Sequence, residues 1–260
     1  MAQDEEIKFK KLRRFNVFMG FLHLIQGSLM LILSQDFSKN VFPIIGRYLS
    51  YNEATQNLET IQETIGEIQL APLVALFLFM SALAHFLIAT VLYKWYVKNL
   101  KKHMNIARWY EYAFSASLMI VIIAMLTGIY DLGTLVALFA LIAVMNLCGL
   151  MMELHNQTTK KTDWTAFNIG SIAGVAPWIV IGISLVGAII ASGGEVPDFV
   201  IGIYVSIIIL FNLFPINMIL QYKKVGKWKD YLYGEKMYVV LSLVAKSALA
   251  WQIFFGTLRP

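Results

Sequence analysis

Apolar residues run along this chain in long unbroken stretches separated by short polar tracts. Seven stretches reach the roughly 20 mostly apolar residues that a helix needs to cross a hydrocarbon layer. They cover residues 15–34, 71–93, 105–128, 132–152, 166–191, 198–220 and 236–257. In lipid only helices and closed barrels satisfy every backbone N–H and C=O, and continuous runs lack the alternation of a barrel strand. The pattern predicts an all-α membrane protein, a seven-transmembrane helix bundle formed as one domain over residues 1–260. No internal repeat or low-complexity tract interrupts it. One connection is long, residues 35–70, and within it ETIQETIGEIQL fits an amphipathic helix as well as a β-ribbon.

Composition agrees: 58% of the 260 residues are hydrophobic and 14% charged, against about half and a quarter in a soluble domain. The net charge of +5 does not indicate nucleic acid, because the basic residues sit in short tracts between apolar runs. The single cysteine, Cys148, excludes an intrachain disulfide. The start, MAQDEEIKFKKLRRFN, has the basic character of a signal peptide, but the apolar run after it lacks a small-residue cleavage site and reads as a retained signal anchor.

The charges also set an orientation. The N-terminus and the connections after spans two, four and six hold 17 of the 21 Lys and Arg residues; the opposite side holds Lys39, Arg47 and Arg259. Asp36, Glu53, Glu59, Glu63, Glu67, Asp131, Glu195 and Asp198 lie on that lysine-poor side. The positive-inside rule then puts the N-terminus in the cytoplasm and the C-terminus outside, in a multi-pass protein of the cell membrane.

Two full charges fall inside the predicted spans, Lys246 and Glu111. Each costs at least about 2.5–3.5 kcal/mol at membrane depth unless compensated, so each marks a candidate site. Lys246, in VLSLVAKSALAWQIF, is about 15 Å from either end of its helix, beyond the reach of a snorkelling side chain. Two readings remain: a structural ion pair with Glu111, or a nucleophilic amine in an apolar pocket that forms a Schiff base with an aldehyde. The cytoplasmic side of Lys246 gathers His23, His85, Gln26, Glu111 and Ser242, with Ser115 and Arg108 one turn either side of Glu111. The outer half offers mainly Ser28, Thr127, Ser184, Ser206 and Gln252. A proton pump needs titratable groups on both sides of its switch, and here only one side has them.

Seven helices with a lysine midway along the last and an acid on the third resemble the retinal-binding rhodopsins. Ordinary microbial rhodopsins carry an acid one turn before that lysine and place the N-terminus outside, whereas this chain has Ser242 and the opposite charge bias. Both features, together with VLSLVAKSALAWQIFFGTL, RWYEY, GFLHLIQG, SALAHF, AGVAPW and QYKKVGKW, resemble the heliorhodopsin family. The resemblance implies all-trans retinal on Lys246 with Glu111 as counterion and Ser242 beside the Schiff base. His23, His85, Gln26 and Ser115 would belong to a polar cavity that takes up the released proton. Arg108, Asn105 and Tyr231 would line the cytoplasmic mouth, and Tyr112, Met145, Trp178 and Phe211 the retinal pocket. Ile142 and Met218 depart from the family pattern, which has polar side chains there. The resemblance further implies a light sensor with a slow photocycle rather than an enzyme, a homodimer in a lipid bilayer, a first outer loop folded as a β-ribbon near the partner, and an unidentified cytoplasmic signalling partner. A light-driven or light-gated ion transporter is the alternative, and a retinal-free scaffold in which Lys246 and Glu111 merely pair is a third reading.

Overall fold

The computed structural model describes residues 2–34 and 41–258. Asp36, Lys39 and Arg259, three of the charges that set the bias between the two faces, lie outside the described residues. Among the described residues there are eight α-helices, of which seven are long and apolar enough to cross a membrane. In chain order they are α1 (Ala2–Leu33), α2 (Leu70–Ala89), α3 (Tyr93–Leu100), α4 (Ile106–Leu126), α5 (Leu132–His155), α6 (Thr165–Ala191), α7 (Asp198–Tyr222) and α8 (Tyr231–Ile253). The short one is α3. A β-hairpin, β1 (Val41–Asn52) and β2 (Asn57–Gln69), joins α1 to α2. A 3-10 turn at Gly226–Lys229 precedes α8, and a π-helical turn at Phe254–Leu258 ends it.

The long helices pack as a ring in chain order, closed by α1 against α8. Phe77 and Leu78 of α2, Ile120 and Ile123 of α4, Ile203 and Ile207 of α7 and Leu249 and Ile253 of α8 meet inside it. The outward faces are equally apolar: Ile172 and Ile190 of α6 are each 75% exposed, and Phe18 and Ile25 of α1 lie open. Helices apolar on both faces suit a solvent of hydrocarbon rather than water.

Helix ends depart from the predicted spans in ways that matter for the site. Helix α1 begins well before residue 15, and its first turns pack Phe9 and Leu12 onto Ile88, Tyr96 and Leu100. The span expected to run to residue 93 stops at Ala89, whose carbonyl accepts a 2.7 Å hydrogen bond from Arg13 Nε; the chain then turns into α3. Helix α8 starts at Tyr231 rather than 236, and α5 continues to His155 rather than 152. These extensions carry Glu235 and Glu153 into the bundle.

The loop that periodicity left open is a β-ribbon. Its strands pair antiparallel from Val41–Gln69 to Asn52–Asn57, with one bulge at Ile44/Ile45. Five of the 13 residues of β2 are Thr or Ile, and such β-branched residues fit a pleated surface better than a helix. At the tip the Asn52 side chain accepts from Ala54 N and so closes the turn. At the base Ile45 N donates to Tyr130 O at 2.9 Å and Phe42 stacks on Tyr130, sewing the ribbon to the α4–α5 connection. Asp131 caps α5 there, accepting from Thr134 N (2.8 Å) and Thr134 Oγ1 (2.7 Å), which hold its carboxyl below the usual range.

Asp131→Ala should therefore lower stability by about 1 kcal/mol, and Asp131→Asn by clearly less, because Asn caps nearly as well. Denaturation of the two variants in detergent checks this; equal losses would show that the cap is not what matters at this position.

Candidate functional site

Three helices converge on Lys246. Its side chain is buried, and Nζ lies 2.7 Å from Glu111 Oε1 on α4. Nζ also donates to Ser81 Oγ on α2, and that hydroxyl donates to the same Glu111 oxygen at 2.6 Å. The ring of Tyr112 sits 5.4 Å from Nζ. Ammonium, hydroxyl and carboxylate form a closed triangle, so neither charge needs water, and the expectation that Lys246 cannot snorkel holds.

On the side of this triangle toward the N-terminal end of the bundle is a small polar cavity of about 40 Å³, space for a few waters. Ser81, Glu111 and Ser242 line it near Lys246, and Asn105, Arg108 and Glu235 line its far end. His85 faces it and makes a 2.8 Å hydrogen bond through Nδ1 to Asn16 Oδ1. His23 stacks on His85, with ring centroids 5.6 Å apart, and is wholly buried with neither ring nitrogen hydrogen-bonded. Buried polar groups are nearly always satisfied, so an unpartnered histidine stacked on one that faces the cavity marks a place for water.

Arg108 closes the far end. Its guanidinium bridges Glu153 of α5 and Glu235 of α8, Nη2 to the first and Nη1 to the second, and lies 3.7 Å from the centre of the Tyr238 ring. Asn105, the N-cap of α4, donates from its backbone N to Glu153 and from Nδ2 to Glu235, each at 2.7 Å. Arg108 and Asn105 are buried, and Tyr231 stacks on His103 with its hydroxyl buried. Of the three residues expected at the cytoplasmic mouth, Arg108 and Asn105 thus form an ionic plug with Glu153 and Glu235.

Lys246 also faces a second cavity of about 230 Å³. All four residues expected for a pocket, Tyr112, Met145, Trp178 and Phe211, line it, joined by Trp109 and Phe214. Trp178 meets Phe211 edge-to-face at 5.4 Å, as Tyr112 meets Phe214. Ser115 and Ser242 line it near the lysine, and Met218, one of the two departures from the family pattern, lines it too; Ile142 is fully buried in the core.

Gln26 does not join the polar cluster. Its side-chain oxygen accepts from Trp251 Nε1 at 3.1 Å, five residues beyond Lys246 in α8 and so on the opposite side from Ser242. Ser81 and Asn16 were missed by sequence reasoning, although Ser81 lies one turn before His85 and Asn16 seven residues before His23, on matching faces. Glu153 and Glu235 were missed because they fall at the predicted helix ends.

Removing one partner of a buried ion pair strands the other, at about 3–5 kcal/mol, while replacing both by apolar groups is often neutral. Glu111→Leu should destabilise the retinal-free protein strongly, and Glu111→Leu/Lys246→Met should recover most of the loss. Thermal unfolding in detergent checks this; a double variant as unstable as the single one would show that the pair is not the cause.

The geometry has counterparts among known proteins. The seven-helix fold matches the crystal structure of cyanorhodopsin N4075R from the cyanobacterium Tolypothrix sp. NIES-4075, with a TM-score of 0.58 at 13% identity, covering 93% of this chain and 92% of that one. A comparison with curated proteins returns no match. The sequence model of the Heliorhodopsin family matches residues 12–258, and on that match, which takes in every residue of the site, the chain belongs to the heliorhodopsin family.

Proposed function

We propose that this chain is a light-sensing photoreceptor that carries all-trans retinal on Lys246. The observation that carries this reading is that one buried amine touches both a carboxylate and an aromatic-walled apolar cavity. The residues present fit the group: Tyr112, Met145, Trp178 and Phe211 offer the flat, apolar contact a polyene needs, and the nucleophile stands at the cavity wall. Bound through a protonated Schiff base to Lys246, retinal would supply visible absorption and a light-driven isomerisation of its polyene chain.

The remaining roles belong to the chain. Glu111, steadied by Ser81, balances the positive charge on the Lys246 nitrogen. Ser242 faces both cavities and stands where a proton leaving that nitrogen enters the polar one, and His85 and His23 lie further along. On the opposite side two hydroxyls are engaged, Ser206 with Gln252 and Ser184 with the Thr127 carbonyl. A proton shed on one side and returned from it makes no net crossing, and slow return suits sensing. The basic residues of the N-terminal end support a cytoplasmic location for it, where an altered Arg108 plug is the natural output to a signalling partner. The whole of residues 1–260 acts as one domain, as a homodimer in the bilayer.

Reconstitution with all-trans retinal should give a visible absorption band, and Lys246→Ala should abolish it. Glu111→Gln should keep the chromophore but move the band to longer wavelength, since losing the anion delocalises charge along the polyene. A wild-type protein that stays colourless would sink the reading.

Light should evoke neither photocurrent under voltage clamp nor a lasting pH change in suspensions of cells holding coloured protein. Either signal would favour the ion-transporting alternative.

A further inference from the structure

The two buried ion clusters differ in stoichiometry. At Lys246 one cation meets one acid. At Arg108 one cation meets two, and the side chains of Arg108, Glu153 and Glu235 are no more than 5% exposed. With both acids ionised that cluster carries an uncompensated negative charge out of water, which burial disfavours; one proton on either acid removes it. Glu235 is the acid with access to a proton, because it lines the polar cavity that begins at Ser81, Glu111 and Ser242. Arg108, Asn105 and Gln221 donate to it, the last at 3.2 Å, so its ionised form is well held and its protonated form can turn toward cavity water.

Other groups around the cluster are poorer carriers. Tyr96 of α3, Tyr222 of α7 and Tyr231 and Tyr238 of α8 face it as phenols, which do not gain a proton in the neutral range. His85 of α2 shares the cavity and bonds Asn16 of α1 through Nδ1, with His23 of α1 wholly buried against it; a proton on either imidazole makes a buried cation with no acid bonded to it. His103, from the turn between α3 and α4, lies against Tyr231 on the exposed side.

We propose that Glu235, in the pair that Arg108 holds with Glu153, is a proton-exchanging carboxyl and the resting place of a proton shed by the Lys246 nitrogen. The N–H bond at Lys246 breaks and an O–H bond forms on Glu235, the proton passing through cavity water; nothing is oxidised, and the return runs the same way. The exchange site itself stands without retinal, whereas the link to Lys246 rests on the photoreceptor reading.

Infrared difference spectroscopy of the full chain in lipid tests both parts. In the dark and without retinal, stepping the pH should reveal a carboxyl C=O band, sensitive to heavy water, that is present in the wild type and lost in Glu235→Gln. In the retinal-loaded protein, light should raise a carboxyl band as the Lys246 nitrogen loses its proton. Glu235→Gln and Glu153→Gln should both abolish that light-induced band, the first by removing the acceptor and the second by restoring charge balance around it. Glu153→Asp should keep it. If Glu235→Gln does not fold, Glu235→Asp should displace the band in frequency. A coloured, cycling protein with no light-induced carboxyl band, or with one untouched at Glu235, overturns the assignment of the acceptor. A protein that takes up no retinal overturns the photoreceptor reading, and the dark titration then decides the exchange site: no band separating wild type from Glu235→Gln ends it.

Discussion

A lysine and a glutamate meet at the middle of a bundle whose outer surface faces hydrocarbon, and the arrangement of polar groups in the protein follows from that pair. Neither charge can be satisfied by water or by reaching an interface, so each must be matched where it stands. Glu111 supplies the opposite charge and Ser81 bridges the two, which obliges α2, α4 and α8 to converge at one level. Glu111 comes from the first turns of α4 whereas Ser81 and Lys246 come from the interior of α2 and α8, and further polar residues of these helices gather toward one end. The polar cavity occupies that end, and the aromatic-walled cavity opens beside the pair, toward α5, α6 and α7.

The two ends of the bundle then solve the burial problem differently. Toward the C-terminal end the core is mainly aliphatic, and two of its hydroxyls close on a neighbouring carbonyl or amide, Ser184 on Thr127 and Ser206 on Gln252. Toward the N-terminal end, histidines, asparagines, two acids and an arginine remain around a space large enough for water, and His23 keeps two ring nitrogens unengaged. The titratable residues inside the bundle are thus gathered at one end of it.

Much of this was legible in the chain because membrane burial simplifies the code. Long apolar runs define the helices, and a charge inside one is conspicuous, so Lys246, Glu111 and the histidine pair could be named from position alone. The pocket residues Tyr112, Met145, Trp178 and Phe211 came from resemblance rather than pattern, and all four line one cavity. Failures cluster where hydropathy loses contrast. Glu153 and Glu235 were read as loop residues because a charge near a predicted boundary looks like the boundary itself, whereas Arg108 draws both inside and the helices run on past them. Ser81 and Asn16 carry no charge and gave no signal of their own; only the faces they share with His85 and His23 point to them. Gln26 failed for a geometric reason. Three residues along α1 from His23 is most of a helical turn, enough to carry its amide past the lysine to Trp251.

The same reasoning explains why an arginine rather than a lysine stands at the plug. A planar guanidinium presents separate N–H donors to two carboxylates on different helices and stacks on an aromatic face at once; an ammonium offers a point charge without that fork. Arg108 does all of this between Glu153, Glu235 and the Tyr238 ring. In doing so it ties α4, α5 and α8 together at the end of the bundle where the polar cavity stops. Glu235 brings that bridge to the cavity wall, so a charge in the cavity lies close to it. Helices α4 and α8 are thus held twice, by the Lys246–Glu111 pair at one end of the cavity and by Arg108 with Glu235 at the other.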